Sequence, residues 1–90
     1  MLYALVCTDR PGRLEVRKAN REAHLAYLAE TGVVTQAGPL LDPAGEMAGS
    51  LVVIDVDTQD AAEAWAASDP YAKAGLFERV EIKAWRKVIG

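Results

Sequence analysis

Two short segments constrain this chain more than anything else in it. Leu2 to Thr8 and Ser50 to Val56 both read as strands, and both are apolar on each parity. In the first, Leu2, Ala4 and Val6 face one way while Tyr3, Leu5 and Cys7 face the other. In the second, Val52, Ile54 and Val56 oppose Leu51 and Val53. Successive strand residues point to opposite faces of a sheet, so these strands need cover on both sides. Any fold for the chain has to supply it.

The other elements say how much of that cover is available. The first strand ends at the breaker cluster Asp9-Arg10-Pro11-Gly12. A helix rich in Ala, Leu, Glu, Arg and Lys is predicted from Leu14 to Thr31, with Gly32 where a C-terminal helix glycine belongs. Val33 to Ala37 is a short strand, closed by Gly38-Pro39, and residues 40–48 read as a loop. After the strand Ser50 to Val56, Thr58 caps a second helix running to Ala67, with Asp60 and Glu63 favouring the positive end of its dipole. Asp69 and Pro70, as N-cap and first helical residue, start one more short turn that Gly75 ends. The last strand is predicted over Phe77 to Val88, where Val80, Ile82 and Ala84 alternate with Arg79, Glu81 and Lys83.

The order βαββαβ, with right-handed crossovers, is that of the ferredoxin-like split βαβ, an α+β fold. Two helices cover one face of its four-stranded antiparallel sheet. The second face is left as a large apolar patch, which monomers rarely tolerate. A C₂ homodimer packing sheet against sheet resolves this. A monomer whose 38–48 loop folds over the sheet is the alternative.

Composition excludes several classes. The 90 residues are expected to form a single domain, since a second core would starve both halves of apolar material. A net charge of −3 argues against nucleic-acid binding, because Arg10, Arg13, Arg17, Lys18 and Arg21 are interleaved with Glu15 and Glu22. No apolar run approaches the roughly 18 residues of a membrane span, so no membrane partner is expected. No secretory signal is recognisable at Met1, and Cys7 is the single cysteine; a reducing cytoplasm is the expected location. One histidine and one cysteine make no metal signature. Phosphate-binding glycine loops and nucleophile elbows are absent.

The first helix carries the most informative anomaly. At about 100° per residue, Glu15, Lys18 and Glu22 share the solvent arc. The opposite arc holds Val16, Ala23, Tyr27 and Leu28, but also Arg17, Asn20 and His24, with Arg21 at its edge. Buried polar groups are costly unless paired, so each needs a partner or a wet cavity between helix and sheet. Imidazole is the side chain that titrates near neutrality, which makes His24 the acid–base candidate. A carboxylate on one ring nitrogen would fix the tautomer and leave the other free to exchange protons with a ligand. The competing reading is a core histidine bonded to a backbone carbonyl. Ser50 either reaches such a pocket or is a turn serine. Trp65 reads as core, and Trp85, on the charged parity of the last strand, as a rim or dimer residue.

Several segments together resemble the YciI-like (YCII-related) family. They are Met1-Leu2-Tyr3, Arg21-Glu22-Ala23-His24-Leu25, Gly38-Pro39, Gly49-Ser50, Ala64-Trp65 and Ser68-Asp69-Pro70-Tyr71, in order along nearly the whole chain. Relatives often carry proline where this chain has Glu22. The resemblance implies a YciI-like domain over residues 1–90, assembled as a dimeric α+β barrel. It also implies an active site formed by a histidine and an aspartate, which by motif are His24 and Asp69. Some relatives are associated with removing HCl from chlorinated hydroxyquinol-type rings.

The expected function is a small-molecule enzyme of lyase or isomerase type, needing no cofactor. His24 is its general acid or base, Asp69 orients the imidazole, and Arg17, Arg21 and Ser50 are the substrate-binding candidates. The alternative is a ligand-binding or regulatory module on the same barrel. A purely structural domain would require the polar arc to be satisfied internally, with no cavity near His24.

Overall fold

The structure is a computed structural model that describes residues 1–90. Its elements are β1 (Leu2–Asp9), α1 (Leu14–Thr31), β2 (Val34–Leu41), β3 (Met47–Asp55), α2 (Gln59–Ala67), α3 (Pro70–Lys73) and β4 (Phe77–Trp85). The four strands form one antiparallel sheet in the order β2-β3-β1-β4, the ferredoxin-like arrangement.

The two doubly apolar strands are the central pair, where burial is greatest. Their register sets Tyr3 opposite Ile54, Leu5 opposite Val52 and Cys7 opposite Ser50, on the face that the helices cover. Tyr3, Leu5, Cys7, Val52 and Ile54 join Ala62, Trp65 and Ala66 of α2 in the core. Gly49 is required between these strands, because a Cβ there would run into the carbonyl oxygen of Cys7. Burial, with the negative charge of Asp69 adding to it, pushes the Cys7 thiol up to about 12. Cys7 therefore stays a neutral core group and not a nucleophile.

The opposite face carries Leu2, Ala4 and Val6 of β1, Leu51 and Val53 of β3, and Trp85 of β4 beside Leu2. Leu51 and Trp85 are 39% and 38% exposed. The chain itself thus leaves this face partly open.

Boundaries differ from the sequence reading around the two middle strands and at the end of the last one; β3 begins at Met47, three residues before the expected Ser50, and ends at Asp55. β2 does not stop at Gly38-Pro39 but continues to Leu41. Proline is tolerated because β2 is an edge strand, where an N–H can be dispensed with on the outer side. The expected loop of residues 40–48 shrinks accordingly to a tight connection, in which the Asp42 carboxylate accepts the backbone N–H groups of Ala44 and Glu46. It cannot fold over the sheet. β4 ends at Trp85, short of Val88. Within α1, Ala23 is exposed although it falls on the inner arc.

Helix ends follow their local chemistry. Gly32 takes the left-handed conformation, φ 68°, that stops α1. Thr58 Oγ1 accepts the N–H of Ala61 at the start of α2. Trp65 packs on Tyr27 and donates its indole N–H to Thr31, fastening α2 to the last turn of α1.

Candidate functional site

Helix α1 fully buries only two residues, and both are polar: Arg17 and His24. They lie two turns apart on one stripe, so they face the same way at different heights. Each meets a carboxylate from another element.

His24 points at the junction of α2 and α3. Its Nδ1 lies 2.8 Å from Asp69 Oδ1, and the two residues are 6% and 3% exposed. A carboxylate can only accept, so Nδ1 carries a hydrogen, and in the neutral ring the lone pair is on Nε2. Asp69 is also the N-cap of α3, and the same Oδ1 accepts the Tyr71 N–H at 2.9 Å. The capping role and the contact with histidine coexist on one oxygen. Tyr71 then lays its ring flat on the imidazole, with centroids 3.9 Å apart and planes 12° apart.

Arg17 is held by Asp9, the last residue of β1. Nε and Nη2 donate to the two carboxylate oxygens at 2.8 and 2.9 Å, and Nη2 also donates to Ser50 Oγ at 2.9 Å. Burial alone would lower the guanidinium pKa, but the hydrogen bonds and charge of Asp9 outweigh it and the net shift is upward. Arg17 is a permanent buried cation. Its donation occupies an acceptor position on Ser50, whose own O–H is free to turn elsewhere. Ser50 sits inside β3, not in a turn, facing the helices.

Between α1 and the β2–β3 half of the sheet lies a cleft of about 190 Å³. Arg17, Arg21, His24, Ser50 and Tyr71 form its polar and aromatic lining. Leu25, Leu28, Pro39, Met47 and Val52 make it apolar elsewhere. The volume falls below the roughly 300–1,000 Å³ of pockets for drug-sized ligands, so it suits a smaller molecule. Arg21 is exposed, one turn from Arg17 on the same helix. The cleft can do three things chemically: exchange a proton at Nε2, hydrogen-bond an oxygen through Ser50, and attract negative charge.

All five residues named from the sequence meet here. Four of them, Arg17, His24, Ser50 and Asp69, are buried; Asp69 stands behind His24 and not in the cleft lining. Two participants were missed. Asp9 reads as part of a turn cluster, and only the fold brings it to Arg17. Tyr71 follows the Asp-Pro cap signal and reads as an ordinary helix residue; no local pattern marks it for His24.

The family model of the YCII-related domain matches residues 1–86. Protein YciI of Escherichia coli O6:H1 is 39% identical, over 98% of this chain and 99% of its own length. Among solved structures, the 5-chloro-2-hydroxyhydroquinone dehydrochlorinase TftG of Burkholderia phenoliruptrix AC1100, in complex with 2,5-dihydroxybenzoquinone, is 34% identical. It superposes with a TM-score of 0.87 over 96% of this chain and 94% of its own. An antibiotic biosynthesis monooxygenase superposes with a TM-score of 0.60 at 7% identity, covering 99% of this chain and all of the other, and shares the fold alone.

Proposed function

The chain belongs to the YCII-related family, and from that premise we propose that it is a cofactor-independent small-molecule enzyme of lyase or isomerase type. Its chemistry is dehydrochlorinase-like and runs on the His24–Asp69 pair. The single observation that carries this reading is the buried 2.8 Å contact of His24 Nδ1 with Asp69, on a histidine that lines a ligand-sized cleft.

The geometry supports the following steps. Asp69 fixes the Nδ1–H tautomer and offsets the positive charge that develops when Nε2 takes a proton. Nε2 removes a proton from the ligand. The electron pair left behind either expels a leaving group, as in a lyase, or shifts within the ligand, which the imidazolium then reprotonates at a new atom. Ser50 donates to an oxygen on which charge builds, and Arg17 and Arg21 make the cleft favourable for that charge. That the similar dehydrochlorinase binds a small oxygenated ring agrees with this cleft in size and polarity. The working form we propose is a cytoplasmic homodimer of single-domain chains, with the open sheet faces packed together.

Chloride release from 5-chloro-2-hydroxyhydroquinone tests the reading. The native chain is expected to turn it over. His24→Gln should lose about 10²–10⁴-fold in rate, the usual worth of a positioned acid–base group. Asp69→Asn should lose a comparable factor, with the folded circular dichroism spectrum kept. Absence of turnover by the native chain, or full activity in His24→Gln, overturns the proposal.

A further inference from the structure

An imidazole held by one hydrogen bond still has a rotational freedom. It can swing about the Nδ1···Oδ1 line, and it can flip so that the other nitrogen meets the carboxylate. A general base cannot tolerate either motion, because reacting atoms must be held in a narrow range of position and angle. Asp69 supplies the bond but not the plane. Something else has to fix the plane of His24.

Tyr71 meets both ends of the pair. Its backbone N–H holds Asp69 Oδ1, the oxygen that accepts from His24. Its ring lies parallel to the imidazole at 3.9 Å, which is close contact over the whole face. The ring is itself immobilised. The Arg17 guanidinium carbon lies over it, 4.7 Å from the centroid, and Phe77 meets it edge-on at 6.0 Å. The phenol ring is thus packed against both the imidazole and the guanidinium. Arg17 is in turn fixed by both oxygens of Asp9. The backbone of Tyr71 is tied as well, since its carbonyl accepts the N–H of Leu76 where the chain leaves α3 for β4. Tyr71 is 2% exposed, and burial raises its phenol pKa, so the ring presents a neutral face to His24.

We propose that Tyr71 is the positioning residue of the acid–base pair: its ring, packed against both Arg17 and His24, fixes the imidazole plane and so keeps Nδ1 on Asp69 and Nε2 toward the cleft. The aromatic ring does this work, and the hydroxyl is dispensable for it. Through the ring, the Asp9–Arg17 ion pair braces the His24–Asp69 pair. The proposal rests on the His24–Asp69 reading given above, which it deepens.

His24 is the chain's one histidine, so its ring nitrogens give unambiguous signals in nitrogen-15 magnetic resonance of selectively labelled protein. The experiment compares the native chain with Tyr71→Phe and Tyr71→Leu, reading tautomer and line shape with no ligand present. The native chain is expected to show one sharp neutral form protonated at Nδ1. Tyr71→Phe should keep that form. Tyr71→Leu should show mixed tautomers or exchange-broadened ring signals. A melting temperature for Tyr71→Leu well above the measurement temperature separates loss of position from loss of fold; should Tyr71→Leu unfold, Tyr71→Met at the same site takes its place. A locked Nδ1–H tautomer in Tyr71→Leu, or mixed tautomers in Tyr71→Phe, overturns the positioning role and leaves the acid–base pair standing. A native chain lacking the Nδ1–H form defeats the pair itself, and this proposal with it.

Discussion

Asp9 shows how a single carboxylate can determine what a site is able to bind. Without it, Arg17 would be a bare cation nearly sealed from water, its guanidinium held only by Ser50 and the face of Tyr71. With it, the buried cation has a partner, and its guanidinium is fixed beside the cleft. Both side chains of this ion pair are more than nine-tenths buried. Asp9→Ala should therefore cost about 3–5 kcal/mol of stability, as breaking a buried pair does. A urea unfolding midpoint checks it; a loss under 1 kcal/mol would mean that water reaches Arg17 freely. At this scale the sequence was partly legible. Arg17, Arg21 and His24 stand out because charged and polar groups occupy the inner arc of a helix whose outer arc is clear. Asp69 was singled out by family resemblance, since any of thirteen acidic residues could have served on spacing alone. Asp9 and Tyr71 were invisible because their roles depend on contacts that only the folded chain creates.

At the scale of elements, α1 owes its place less to an apolar stripe than to the two polar residues it buries. It stands off the β2–β3 half of the sheet, and the gap is the cleft. Helix α3 is only four residues long, yet its cap, its first N–H and its tyrosine all serve the site. Such a short turn has little stability of its own, so its conformation depends on Asp69, Tyr71 and the chain that follows. Strand order, helix extents and both N-caps were readable from alternation, period and capping residues. The course of β2 was not, because Gly38-Pro39 reads as a stop, and only the position of that strand at the sheet edge makes it admissible. The sheet carries its own prediction. Leu2, Ala4, Val6, Leu51 and Trp85 leave an apolar strip that the helices do not reach, bordered on β4 by Glu81 and Lys83, and pairing with a second copy would bury it. Light scattering after gel filtration should give about twice the 9.7 kDa chain mass. Leu51→Lys combined with Trp85→Glu should reduce it to one chain. A native protein eluting at a single chain mass would refute pairing through this face.

On the scale of the whole molecule, the sheet is a platform that brings polar groups from four pieces of chain together at and behind one cleft. β1 contributes Asp9, α1 contributes Arg17 and His24, β3 contributes Ser50, and α3 contributes Tyr71 with its cap Asp69. Only β1 and α1 follow each other closely in the chain; His24 meets Asp69 from 45 residues away and Arg17 meets Ser50 from 33, so the site exists only when the fold does. The central claim is that His24 uses one nitrogen for Asp69 and the other for a ligand. Following the lone imidazole while 2,5-dihydroxybenzoquinone is added tests this most directly. The Nε2 resonance should shift as the small ring fills the cleft, while Nδ1 keeps its hydrogen and its bond to Asp69. An Nε2 signal that never responds, or a ring protonated at Nε2 alone, would contradict the account.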